Sequence, residues 1–218
     1  MDWELLGPTF ITALIQTLVM VLITVVIGGL LGLIVGVGLY VTRRGNLYSQ
    51  PAVYWILNVL VNIVRPIPFV IFITAVGPLT LLVVGTTIGT PAAVFPMAFM
   101  ATFAIARVVE QNLVTVDPGV IEAARAMGAG RLRIIWSVLV PEALGPLILG
   151  YTFMFIGIVD MSAMAGVIGG GGLGDFAITY GYQQYNWAVT WITVAVIIVI
   201  VQLAQVLGNW GARKVLRR

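Results

Sequence analysis

Five stretches of this 218-residue chain are apolar enough, over enough residues, to cross a lipid bilayer. A helix needs about 20 mostly apolar residues to span the hydrocarbon core. The stretches fall within residues 10–41, about 59–82, about 91–109, about 146–168 and about 187–207. Composition agrees: 61% of residues are hydrophobic, only 9% are charged, and the mean hydropathy is +1.10. A water-soluble domain of this size has too little interior to hide that much apolar surface. The expected fold is therefore an all-α polytopic membrane protein, one transmembrane domain over residues 1–218. The second stretch is the least regular, because Arg65, Pro66 and Pro68 interrupt it; a surface segment around residues 48–62 is an alternative start. The first is longer than a span needs and should tilt or protrude.

The basic residues predict the orientation. Arg43 and Arg44 follow the first stretch, and Arg107, Arg125, Arg131 and Arg133 lie at or beyond the end of the third. Arg213, Lys214, Arg217 and Arg218 close the chain, and Arg65 can snorkel to the same side. The N-terminus and residues 77–90 and 169–186 hold none. Basic loops stay in the cytoplasm, so the N-terminus is expected outside and the C-terminus inside. The net charge of +3 is thus a topology signal, and nucleic acid is not an expected partner. The acidic start (Met1, Asp2, Trp3, Glu4) does not read as a cleavable signal peptide. Cys and His are both absent, which removes thiol nucleophiles, imidazole acid–base chemistry and the usual zinc ligands. No catalytic residues, metal site or cofactor are expected in this chain, and no P-loop sequence is present.

Gly28, Gly32 and Gly36 leave one face of the first stretch nearly bare, so a neighbouring helix can pack closely, within the chain or in a dimer. Gly169, Gly171 and Gly174 match a dinucleotide fingerprint only formally, since no strand precedes them. The run Gly169–Gly172 is expected to break the fourth stretch, and its backbone could line a cavity mouth.

The segment at 116–143 is the most informative. Asp117 before Pro118 is a strong helix start, with a capping side chain and then proline at the first position. Val120, Ala123, Ala124 and Met127 follow at helical spacings and predict an apolar stripe, with Gly128 as the stop. A second helix is expected from about Arg131 to Val140, ended by Pro141. Such a helix could lie on lipid headgroups or, given its small alanines, fill a protein groove.

Glu122-Ala123-Ala124, three residues, Gly128, nine residues, then Val138-Leu139-Val140-Pro141 resembles the signature loop of ABC importer permeases, with Val138 and Val140 as conservative departures. Nearly the whole chain is similar to the methionine-uptake members of that family, through Arg65-Pro66-Ile67-Pro68-Phe69, Ile105 to Glu110, Ser162-Ala163-Met164 and Gly171 to Gly174. The resemblance implies a type I importer permease with five transmembrane helices that imports methionine or a related amino acid, another amino acid or short peptide being the alternative. It implies a second copy of the chain, two ATP-binding cassette ATPase subunits carrying ATP and Mg, and an external substrate-binding protein. It implies that 117–141 docks on the ATPase, with Ala123, Ala124 and Met127 seated in a groove, Glu122 and Arg125 at its rim, and Asp117 and Gly128 as the helix ends.

Asp160 sits well inside the fourth stretch, where family members usually carry a small neutral residue. A charge at mid-membrane costs about 2.5–3.5 kcal/mol on insertion scales, so it needs water or a partner. Asp160, with Met161, Ser162 and Met164, is a candidate for the translocation path, favouring a substrate ammonium; the alternative is an acid kept neutral or bonded to Ser162 or Tyr151. The methionines of this stretch could equally be packing, and Arg107 with Glu110 reads as a helical ion pair. Two other classes compete: an ion-coupled carrier using Asp160, against which the signature loop stands, and an intramembrane enzyme, for which no catalytic set exists.

Overall fold

The computed structural model describes residues 3–216, so Met1, Asp2, Arg217 and Arg218 of the charge pattern lie outside the described residues. Every described element is helical. The chain runs α1 (Trp3–Thr42), α2 (Pro51–Val64), α3 (Phe69–Ala75), α4 (Gly77–Val84), α5 (Thr90–Val114), α6 (Pro118–Ala126), α7 (Arg131–Ile134), α8 (Val140–Glu142), α9 (Leu144–Ala165), α10 (Gly172–Phe176) and α11 (Trp187–Leu216). Wider π turns link α7 to α8 (Ile135–Leu139), follow α9 (Gly166–Gly170) and follow α10 (Ala177–Tyr182). Among the described residues, four helical stretches are long and apolar enough to span a bilayer, and α2 with α3 makes a fifth if that pair, bent by 107°, counts as one.

The second expected span is therefore three helices. Pro66 and Pro68 lack the N–H that continues a helix; Arg65, before Pro66, is still helical at φ −56° and ψ −42°. Pro68 itself is extended, with φ −58° and ψ 133°. Gly85 then closes α4 in the left-handed region, its N–H bonded to the Leu81 carbonyl. Pro141 does the opposite of what its position suggests. It sits inside α8, directly after the π turn, and the helical path goes on toward α9. The Ala143 N–H reaches the Leu139 carbonyl and the Leu147 N–H reaches Ala143. A π turn widens the helix just where a proline ring would strike the carbonyl four residues back, so the proline is absorbed.

Two compact units form. One comprises Met1–Gly28, Ile67–Ala101 and Phe155–Ala204. Its core gathers Ala13, Leu173, Phe176 and Val189, with Phe10 edge-on to Phe176 at 5.3 Å between ring centres. The N-terminal half of α1 buries Ala13, Thr17, Met20 and Thr24, spaced three and four apart. On the other side Ile11, Ile15, Leu22 and Val26 stand exposed, as a lipid-facing stripe requires.

The other unit comprises Gly29–Pro66, Thr102–Met154 and Gln205–Arg218. Leu39, Val61 and Ala106 form its core, with Tyr54, Leu57 and Phe103 against them. Here α1 and α5 touch backbone to backbone. A Cβ on Gly36 would lie 2.6 Å from the Ala106 carbonyl oxygen, and one on Gly32 would lie 2.7 Å from the Ile105 Cβ. The small-residue stripe expected from the sequence thus serves packing within one chain at these two positions.

Candidate coupling helix and translocation face

The helix α6 is fixed at both ends by its own sequence. The Asp117 Oδ1 accepts a hydrogen bond from the Gly119 N–H at 2.8 Å, filling one of the donors a helix start leaves open. At the other end Gly128 has φ +79°, its N–H bonds the Arg125 carbonyl, and the Ala129 N–H bonds the Ala124 carbonyl. That pair of bonds is a Schellman closure, and it needs a residue free to turn left-handed. Sequence reasoning located both ends.

The faces of α6 divide differently from the expected stripe. Ile121 and Ala124 are buried within this chain, Ala124 to 3% exposure, while Glu122, Ala123, Arg125 and Ala126 are exposed and Met127 is 82% exposed. Ala124 therefore corrects the expected outward set. The helix keeps two apolar side chains to anchor itself to its own unit, where the turn Ile135–Leu139 packs beside it, and presents the others.

Next on α5, Arg107 and Glu110 form the expected ion pair at 2.5 Å, with side chains only 14% and 4% exposed. The sequence did not reveal where the rest of the guanidinium goes. Its Nη2 donates to Asn58 Oδ1 and to Asn62 Oδ1, each at 2.7 Å. Asn58 and Asn62 are four apart on α2, one turn of helix, and that spacing in an apolar segment was the available signal.

On α9 the four expected path residues separate. Ser162 is buried and donates to the Val159 carbonyl at 2.6 Å, on the packed side with Ile158, Val159 and Ala165. Asp160 and Met164 are exposed on the opposite side, Met161 is half-buried beside them, and Gly157, one turn earlier, has no atom within 4 Å of where a side chain would begin. Neither suggested partner reaches Asp160: the Tyr151 hydroxyl donates to the Gly29 carbonyl at 2.7 Å, and Ser162 is turned inward.

The glycine run is held by α1. Ile168 and Gly169 leave helical geometry, and Gly169, Gly171 and Gly172 all have positive φ. The Gly172 N–H donates to Gln16 Oε1 and the Leu173 N–H to Thr17 Oγ1, both at 2.8 Å. Across the run, the Gly89 N–H donates to the Gly169 carbonyl at 2.8 Å. A cavity of about 260 Å³ lies beside it, lined by Thr74, Thr80, Thr87 and small residues including Ala93 and Gly170. Among the described residues no cluster of acids could hold a metal ion.

Residues 28–217 match the family described as binding-protein-dependent transport system inner membrane component. The chain belongs to that family. It is accordingly a multi-pass permease of the bacterial inner membrane. It is 42% identical, over 94% of its length and 91% of the relative's, to a probable D-methionine transport system permease protein MetI of Vibrio cholerae. It is 41% identical, over 78% of its length and 77% of the relative's, to the methionine import system permease protein MetP of Bacillus subtilis. The permease also superposes with TM-score 0.94 and 39% identity on a chain of the MetNI methionine ABC transporter in an inward-facing conformation, covering 97% of itself and 98% of that chain. A chain of an amino acid ABC transporter shares the fold alone, with TM-score 0.80 at 23% identity over 98% and 97% of the two chains.

Proposed function

We propose that this permease is the transmembrane subunit of an ATP-driven importer for methionine or a closely related amino acid. The observation that carries the reading is the similarity, at 42% and 41% identity over 94% and 78% of the chain, to permeases named for methionine transport in Vibrio cholerae and Bacillus subtilis. The working unit is a pair of copies with two ATPase subunits, which hold ATP and Mg, and an external binding protein that delivers the solute. The MetNI similarity supports the paired arrangement. Counting α2 with α3 as one crossing gives five, and the placement of the basic residues supports an N-terminus outside and a C-terminus inside.

ATP can bias the permease only by binding one overall state better than the other. The docked element is α6. Its outward residues Glu122, Ala123, Arg125 and Met127 meet the ATPase, Ile121 and Ala124 tie the helix to its own unit, and Asp117 and Gly128 hold its ends rigid. A rigid, short, two-point anchored helix transmits displacement rather than absorbing it. Solute passes along the open side of α9 around Asp160, Met161 and Met164, while Ser162 belongs to the packing.

Reconstitution into vesicles tests the reading. Labelled methionine should accumulate only when the chain, its ATPase, the binding protein and ATP are all present. Uphill uptake by the chain alone would overturn it.

A further inference from the structure

Among the described residues, the four unbroken stretches able to span a bilayer hold two acids, and they are treated in opposite ways. Glu110 on α5 is buried and paired with Arg107. Asp160 on α9 is exposed, and among the described residues no cation, hydroxyl or amide bonds it. The side of α9 that carries it is open: Gly157 leaves a gap one turn before, and Met164 stands 39% exposed one turn after. The opposite side, Ile158, Val159, Ser162 and Ala165, is packed. Hydrocarbon is a poor medium for this side, because an unpaired carboxylate in lipid is unfavourable while every neutral side chain there would be tolerated. Direct packing against another protein surface is no better, since Gly157 would leave a void beside a desolvated charge. Water and a passing positive charge satisfy all three observations.

We infer that the Asp160 side of α9 faces a water-filled solute path, and that its carboxylate recognises the ammonium group of the solute, making Asp160 a specificity-determining residue. The inference rests on the importer reading and adds to it the sign of charge that the path favours. Met164 and the bare backbone at Gly157 give an apolar, adaptable wall on either side of one fixed charge, which suits a zwitterion with a flexible apolar side chain.

The absence of any cysteine gives a clean test. In the assembled complex in membranes, Gly157→Cys places one thiol on this chain a single turn from Asp160, where there is room for it. Its modification, read by the mass of this chain, is followed with two thiosulfonate reagents, one bearing trimethylammonium and one bearing sulfonate. The ratio of cationic to anionic rate should exceed that in Gly157→Cys/Asp160→Asn by about tenfold, from one charge acting over about 6 Å in water on reagents of opposite sign. Met164→Cys, on the other flank, should show the same dependence on Asp160. Failure of both thiols to react places this side against lipid or a second copy and overturns the inference. A ratio unchanged by Asp160→Asn overturns it too. ATP-driven methionine uptake measured on the same preparations separates the two ideas: normal uptake without charge preference sinks only the role of Asp160, whereas uptake that needs no ATPase sinks the importer reading.

Discussion

Arg107 on α5 reaches Asn62 on α2 at 2.7 Å while its other Nη holds Glu110. One guanidinium thus closes a buried ion pair and clamps a helix that is otherwise loosely covered, since Val53, Trp55, Ile56, Leu60 and Ile63 of α2 are all exposed. The clamp leads to an asymmetric mutational pattern. Glu110→Ala strands a largely buried cation and should destabilise by about 3–5 kcal/mol. Arg107→Leu/Glu110→Leu removes both charges and should recover a large part of that loss. Asn62→Ala should cost only about 0.6–1.7 kcal/mol, the range of interhelical hydrogen bonds in membranes. Thermal unfolding in detergent ranks the three, and a double variant worse than Glu110→Ala would contradict the account.

The bond between Leu173 and Thr17 is a second point of tension. Both residues are almost wholly buried, and the N–H of Leu173 has the threonine hydroxyl as its acceptor. Thr17→Val preserves shape but leaves a buried donor unsatisfied, a loss of about 1–3 kcal/mol. Thr17→Ser retains the hydroxyl and should lose clearly less. Equal melting shifts for the two would show that the methyl group, and not the hydrogen bond, holds the glycine run.

Much of this was legible in advance, for identifiable reasons. The four long apolar helices and the ends of α6 depend on local chemistry: apolar run length, Asp117 before Pro118, Gly128 at the stop. The faces of α6 were not legible, because Ala123 and Ala124 are the same residue type and only tertiary packing decides that Ala124 turns inward. Ser162 lies on the packed side for the same reason, two residues from Asp160 and so on the other side of the helix. Pro141 misled because a proline stops a regular α-helix, while a π turn can carry the helix past it. Asn58 and Asn62 were silent until Arg107 was seen between them.

Uncoupling should be separable from unfolding on α6. Glu122 is exposed and makes no side-chain hydrogen bond or ion pair among the described residues, so Glu122→Lys reverses a charge without breaking one. Membrane abundance should stay normal while ATP hydrolysis persists and methionine uptake falls at least tenfold. Gly128→Leu forces a branched residue into φ +79° at the Schellman closure and should do the same with some local loss of helix. Normal uptake by both variants at normal abundance would remove α6 from the coupling path.

Two glycines with nearly the same backbone allow conformation and space to be told apart. Gly85 has φ +83° and Gly172 has φ +89°, so alanine at either is strained by about 1–2 kcal/mol. At Gly85 the new methyl group meets nothing within 4 Å, whereas at Gly172 it would lie 2.7 Å from Thr17 Oγ1 and 2.8 Å from Met20 Cε. The Thr17 hydroxyl cannot retreat freely, because it accepts from the Leu173 N–H, so the clash adds about 1–3 kcal/mol of overpacking to the backbone strain. Gly85→Ala should therefore lower the melting temperature modestly, and Gly172→Ala should lower it roughly twice as far. Met20→Ala vacates one of the two contacts at the cost of a cavity of its own, so Gly172→Ala should lower the melting temperature less in a Met20→Ala background than in the native chain. Equal shifts for the two single alanines would mean that the chain around Gly172 yields as easily as open solvent, and that the bonds from Gln16 and Thr17 do not fix the run in place.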